Sequence, residues 1–479
     1  MSSIRRKTHI SEVTMKKYMK NLMAFMVMFM MILPISTFAE EESGGGLADK
    51  ATSALGGGVG MTFIDGVPFL NLAITPDLSF GPVGIGLDLI LRVNTEDWSV
   101  RTSDWNDVKD IAKVIRYFRF GEKENKVAFG DKEDPFVSIY AKIGMLDSSS
   151  IGHGILMYNF SNSASIDDRS MGVEFDLDFN QVGLEVFTSD FTEAPVVGTR
   201  LYVRPLKFSP TLGAIPIIGG LEFGASYVSD LSEDSKVLTS TYDLTANDGT
   251  NTITKGNALS AYALDIGLPV LRLGIFDADI YYDYGKYVDY GSGSVAGFQT
   301  KLTLPGGILK ISTKAERRWL NDKFAPSYFN ALYLVSRYQK ASSATSPARV
   351  LRASLDAKRA SSGTYGEILF QILDKIQIVG GFQKDDRDPD GILHLETKLP
   401  PELLKIIDFS MSYDRVGIRT ANDLFKLDEN SLLSALIGYK PYSFLTIGVR
   451  YFWTFAPTAD GGFETQQRIE PTISASMSF

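Results

Sequence analysis

The residues able to do bond-making chemistry are few. Histidine occurs three times, at His9, His153 and His394, and cysteine is absent. Without cysteine there is no thiolate nucleophile, thiolate metal site, disulfide or lipidated N-terminal cysteine. A lipid hydrolase working at a membrane surface needs a serine–histidine pair on its outer wall. His9 falls in a segment read below as removed, His153 sits in a Gly-His-Gly loop, and His394 belongs to the polar face of its segment. Neither an enzymatic activity nor a cofactor is expected. The run Asp386-Arg387-Asp388-Pro389-Asp390-Gly391 mimics the start of a calcium loop, but Thr397 stands at position twelve, where a glutamate is needed. It reads as an acidic turn, and no metal is expected.

The informative chemistry is charge carried on alternate residues. Glu174, Asp176, Asp178 and Glu185 form one acidic group, and Asp265, Asp277, Asp279 and Asp283 a second. Lys301, Lys310, Lys314, Arg318, Arg352 and Lys358 follow, read as lying on later strands, while Arg200 and Arg204 interrupt the acidic sector. His394 and Arg450 share this pattern. If the polar faces line a lumen, these eighteen residues are its candidate wall. Segregated charge across a narrow pore gives a transverse field that orients polar solutes. The same residues could instead form cross-strand ion pairs that knit a filled interior.

The elements that must position them read as strands. Segments of about ten residues with alternating polarity, separated by turn residues, run from about residue 60 to the end. In 275–286, Phe276, Ala278, Ile280, Tyr282 and Tyr284 oppose Asp277, Asp279, Tyr281 and Asp283. In 443–455, Leu445, Ile447, Val449, Tyr451, Trp453 and Phe455 oppose Thr446, Arg450 and Thr454. In 468–479, Ile469, Pro471, Ile473, Ala475, Met477 and Phe479 oppose Arg468, Glu470, Thr472 and three serines; Pro471 predicts a bulge or weak pairing. Soluble sandwiches alternate too, but here the polar faces stay charged from strand to strand and aromatic residues gather at strand ends, as girdles do at bilayer boundaries. Strands span hydrocarbon only as a closed barrel. The prediction is an all-β, antiparallel, up-and-down transmembrane barrel of 18 to 20 strands over 59–479.

The N-terminus supplies an address. Lys16, Lys17 and Lys20 precede a short apolar run, 22–35, and the small residues Thr37 and Ala39 precede acidic Glu40 to Glu42. That is a signal-peptide pattern over 1–39, followed by a glycine-rich linker over 40–58. The formal net charge of -9 disfavours nucleic acid. With Phe479 on the periplasmic side, short links at 179–180, 305–307 and 373–375 fall there and longer polar ones outside. The 206–218 and 340–347 links fall on the periplasmic side despite their length. An insertion over 94–135 is counted as periplasmic, and within it 104–115 has the apolar stripe Val108, Ile111, Ala112, Ile115 of a short helix. The loop 146–169 has the apolar centre Ile155-Leu156-Met157-Tyr158. It either folds into the lumen, bringing His153 and Tyr158 to a constriction, or adds two strand ends.

Signal, alternating strands, turn asymmetry and terminal Phe479 together resemble the bacterial outer-membrane β-barrel proteins of the porin-like class. The resemblance implies an outer-membrane location, lipid and the barrel-assembly machinery as partners, and Phe479 as the insertion signal. The function expected is a channel for passive diffusion of small polar or charged solutes. The alternatives are a facilitator of hydrophobic ligand uptake, or a structural or adhesive barrel acting through its external loops.

Overall fold

The computed structural model describes residues 54–64, 67–105, 114–123, 126–130, 135–164, 170–192, 195–242, 251–339, 348–373, 376–387, 391–399, 406–442, 445–457 and 463–478. The expected signal segment, Phe479, the centre of the expected helix (106–113) and the link 340–347 lie outside these residues.

The wall begins with β1 (Ala54–Ile64), β2 (Val67–Phe80), β3 (Val83–Leu87), β4 (Leu89–Asn94), β5 (Ile115–Phe120), β6 (Val127–Gly130) and β7 (Pro135–Gly144). It continues through β8 (Gly172–Asp178), β9 (Val182–Thr188), β10 (Val196–Val203) and β11 (Glu222–Asp230). A separate hairpin, β12 (Val237–Tyr242) and β13 (Asn251–Lys255), precedes β14 (Leu259–Arg272), β15 (Phe276–Tyr287), β16 (Ser292–Thr303) and β17 (Leu309–Leu320). After the short pair β18 (Tyr338–Gln339) and β19 (Arg349–Val350) come β20 (Ser361–Ile372), β21 (Ile376–Asp385), β22 (Gly391–Leu399), β23 (Ile407–Ile418), β24 (Ser431–Tyr442), β25 (Leu445–Pro457) and β26 (Phe463–Ser478). Each wall strand pairs antiparallel with its neighbour, and β1 pairs with β26, so the sheet closes. The β3 and β4 pieces share one position beside β2, as β5 and β6 do beside β7, giving a 20-strand barrel.

Alternation sets which side of the wall each residue faces. On β15, Ile280 and Tyr282 are exposed, whereas Tyr281 and Asp283 are buried. On β26, Ile469 and Ile473 are exposed, whereas Arg468 and Glu470 are buried. The apolar outside and charged inside, on a closed sheet, are those of a bacterial outer-membrane barrel. Arg317, the charge that breaks the outer face of β17, reaches Asp386 in the loop beyond β21 at 2.8 Å.

Chain order fixes the two rims. The start of β1 and the end of β26 are paired on one rim, the periplasmic one by turn asymmetry. The short links 81–82, 179–181 and 273–275 share it. The link 204–221 is also there and carries a short helix, α1 (Pro210–Gly213). Two expectations are corrected. β5 and β6 belong to the wall, so 115–120 and 127–130 are not part of an insertion, and strand parity places the described residues 95–105 on the external rim. β17 pairs directly with β20, so the chain leaves the wall at Leu320 and re-enters it at Ser361 on the same, external rim. The wall also starts at Ala54, inside the expected linker.

At the seam, pairing of β26 with β25 runs through Pro471 without a register shift, opposite Val449. Pairing with β1 stops at Gly60 and Thr472, one residue short of the proline. Proline has no N–H to offer the second neighbour. The backbones approach closely there: a Cβ on Gly60 would lie 2.2 Å from the Pro471 carbonyl oxygen. Gly60→Val is therefore expected to open the seam, so that unheated protein no longer migrates as a compact barrel in detergent gels. Lipid-facing Val59→Ala should migrate as wild type.

Candidate constriction in the barrel lumen

A barrel this wide is not filled by wall side chains alone. Here two external connections fold inward and fill much of it. The first is 145–164. Ser149 and Phe160 exchange backbone hydrogen bonds of 2.8 and 2.9 Å, closing a loop. Asn162 fastens its base, donating from Nδ2 to the carbonyls of Gly144, Ser170 and Ser189 at 3.0 to 3.2 Å. Gly152 turns the chain at φ +55°. The wall makes room at Gly198, where a Cβ would lie 2.2 Å from Ile151 Cδ1.

The second connection begins at 321 and lies against the first. Ser327 N–H donates to the Ile155 carbonyl at 2.8 Å, Tyr158 N–H to Phe329 at 3.1 Å and Phe329 N–H to Leu156 at 3.2 Å. Met157, Phe160, Phe324, Phe329 and Tyr333 are fully buried in the shared core, which continues onto Val196, Val228 and Tyr287 of the wall. Fully burying a side chain of this size contributes about 1.5–3 kcal/mol. The helix α2 (Tyr333–Ser336) follows, and Tyr333 Oη donates to buried Asp230 at 2.9 Å. On the far side Thr454 donates to the Ala164 carbonyl at 2.7 Å and Gln339 to Phe463 at 2.8 Å. The inward body thus reaches from the β8–β17 wall to β25 and β26.

His153 and Tyr158 meet the wall together. His153 Nδ1 lies 2.8 Å from Asp283 Oδ1, and its ring stacks on Tyr281 with centroids 4.1 Å apart. Tyr158 Oη donates to Glu367 at 2.8 Å. Burial, reinforced by Glu367, raises the Tyr158 hydroxyl well above its ordinary value, so it remains a donor. Lys314 lies between them: Nζ is 3.9 Å from the Tyr158 ring centroid, donates to the His153 carbonyl at 2.5 Å, and is 3.2 Å from Glu316. Arg318 closes on the same glutamate at 2.5 Å. Of the two expectations for 146–169, the described part, 146–164, takes the inward fold.

The acidic sector is neutralised locally. Arg200 contacts Glu185 at 2.8 Å and both Glu222 and Asp265 at 2.6 Å. Arg204 contacts Asp178 and Glu222 at 2.9 Å. Glu174 pairs with Lys123 at 3.0 Å, Asp176 with Lys126 at 3.7 Å and Asp279 with Arg272 at 2.5 Å. Such pairs offset the desolvation of buried charges and hold the strands in register. Over β8–β17 the ion-pair reading therefore replaces the transverse field.

The other expected wall residues separate. Asp277 and Lys301 stand opposite each other across β15 and β16, and Lys310 opens β17. His394 pairs with Asp414 at 2.7 Å. Among the described residues neither histidine ring is hydrogen-bonded to a serine. Arg450 is exposed and stands opposite Glu470, whose carboxylate accepts from inward Thr62 at 2.6 Å, which puts Arg450 on the lumen face. Arg352 and Lys358 are corrected: neither is on a wall strand. Arg352 lies on the external helix α3 (Leu351–Ala357), where it donates to Tyr290 Oη and the Ser235 carbonyl at 2.9 Å, and Lys358 caps that helix. Sequence reading passed over Glu222 and Glu367, although each occupies an inward position of a strand, left Glu316 of the polar face of β17 out of the candidate wall, and missed the segment 321–339. The aromatic spacing Phe324, Tyr328, Phe329, Tyr333 was the available signal for the latter.

Below the inward body, towards the periplasmic rim, lies a cavity of about 470 Å³. Its lining includes His153, Arg204, Lys207, Glu222, Arg272 and Gln299. Lys314→Met would remove the cation that joins both inward residues to the wall. Breaking a buried charged contact costs about 3–5 kcal/mol. Amide exchange over 150–160 is expected to accelerate while the wall strands stay protected, with Lys314→Arg closer to wild type. Unchanged exchange would show that apolar packing alone seats the segment.

No protein-family signature matches the chain, and no curated protein matches it. Several crystal structures are similar to it. Pseudomonas aeruginosa OccK9 (OpdG) is 11% identical, with a TM-score of 0.32 over 91% of this chain and 100% of that one. The outer membrane protein opdK from Pseudomonas aeruginosa is 11% identical, with a TM-score of 0.30 over 89% and 99%. Acinetobacter baumannii OccAB2 is 11% identical, with a TM-score of 0.30 over 91% and 100%.

Proposed function

We propose that this barrel is an outer-membrane channel through which small polar or charged solutes diffuse, without covalent chemistry. The observation that carries the reading is the inward body above a polar cavity. A cavity of about 470 Å³ lined by charged and polar side chains has room for several waters and for a small polar solute. The segment bearing His153 and Tyr158 narrows the lumen at about mid-height, and solutes are sorted there by size and by the polar groups they meet. The wall ion pairs hold the barrel's cross-section against the apolar body packed on it.

The reading is tested by conductance in planar bilayers. The wild-type barrel is expected to give small, ohmic steps. Replacing 150–159 by a short glycine–serine link should enlarge the step several-fold, because it removes the constriction and leaves the wall. A silent bilayer for both proteins would sink the reading. Arg450 supplies a second measurement, since it is an exposed cation on the inner face. Arg450→Glu should shift the reversal potential in a salt gradient towards that of a more cation-preferring pore. No shift would place Arg450 away from the path.

A further inference from the structure

The polar lumen has an apolar interruption between the inward body and the β20–β23 wall. A recess there is walled by Ala331 and Leu332 on the inward side and by Ile392 and Val416 on the barrel side. Ile392 stands directly opposite buried Gln383, at an inward register position. Val416 packs against the cluster of Ala164, Leu332, Val335 and Phe455. Opposite His394 the wall residue is Gly381, where a Cβ would come within 2.9 Å of Tyr365 Oη. The missing side chain deepens the recess.

Most of the polar groups around it have made bonds, buried Arg415 Nε being the exception. His394 Nδ1 is engaged by Asp414, Gln383 Oε1 accepts from Arg318, and Tyr158 donates to Glu367. An apolar hollow offers water too few partners to be a good site. The recess has a cavity volume of about 40 Å³. A branched alkyl group or the edge of a ring fits that size, and a lipid chain does not.

We propose that this recess is a subsite for the apolar side group of an amphipathic solute. The charged or zwitterionic part of the solute stays in the polar lumen while its side group takes the hollow beside Leu332 and Ile392. The inference rests on the channel reading and names a solute class for it. Transfer of a small alkyl group from water favours residence there, and a tenfold preference corresponds to about 1.4 kcal/mol.

Leucine and asparagine make the test, because they are nearly matched in size and charge and differ in side-chain polarity. Their uptake into proteoliposomes is measured across a concentration series. Leucine is expected to saturate at about a tenfold lower concentration than asparagine. Ile392→Asn, and separately Leu332→Asn with Val416→Asn, should abolish the difference between the two solutes. Asparagine uptake also reports that each variant is folded, and Ile392→Asn is the milder one if the double variant fails to assemble. Equal half-saturation for the two solutes in wild type, or a leucine preference that survives both variants, overturns the subsite with the channel intact. Entry of neither solute overturns the channel reading and the subsite with it.

Discussion

Everything in this molecule follows from the rule that hydrocarbon leaves no backbone group unpaired. A sheet edge in a bilayer costs several kcal/mol for each open N–H or C=O. The first strand must therefore find the last, and the register Ala54–Gly60 against Ser478–Thr472 is the bond that turns a ribbon into a wall. Closure in turn imposes an even strand number, puts both chain ends on one rim, and assigns every connection a side. It also divides each strand into a lipid face and an interior face, so the charges have only one place to go.

Closure with this many strands creates a second problem, an interior too wide for its own side chains. The chain answers with its two inward connections, which behave as a small core of their own. Their buried aromatics pack as they would in a soluble domain, and they meet the charged wall through the contacts of Lys314, Tyr158 and His153. Apolar packing holds the body together, and polar contacts set where it stops. That division leaves polar space beneath the body and one apolar recess beside it.

Much of this was legible in the residues because period-two alternation is a local signal. Ile280 against Asp279 and Asp283, or Ile473 against Arg468 and Glu470, needs no partner strand to be read. Acidic and basic candidates were likewise placed on the inner face. Which ion each one meets was not legible, since Arg200 draws its carboxylates from three strands whose register only the closed sheet fixes. Arg352 followed the same logic and failed: its segment is a helix over the mouth, where alternation has no meaning. The 321–339 segment was missed because it is neither strand nor simple helix. Its aromatics face a loop more than a hundred residues away, and no local period records that.

The seam carries a further consequence, one of timing. Its partners are the first and last strands, so the wall cannot shut until the whole chain has been delivered. Contacts so distant in sequence make folding slow. Through that interval β1 presents an unpaired edge, the kind of surface that recruits strands from other molecules. Glycines at 56, 57, 58 and 60 keep that edge nearly bare of side chains. A bare strand pairs weakly and slides in register easily. Until the last strand arrives, β1 is therefore open to slipped or mistaken pairing, and it is β26 that sets its register.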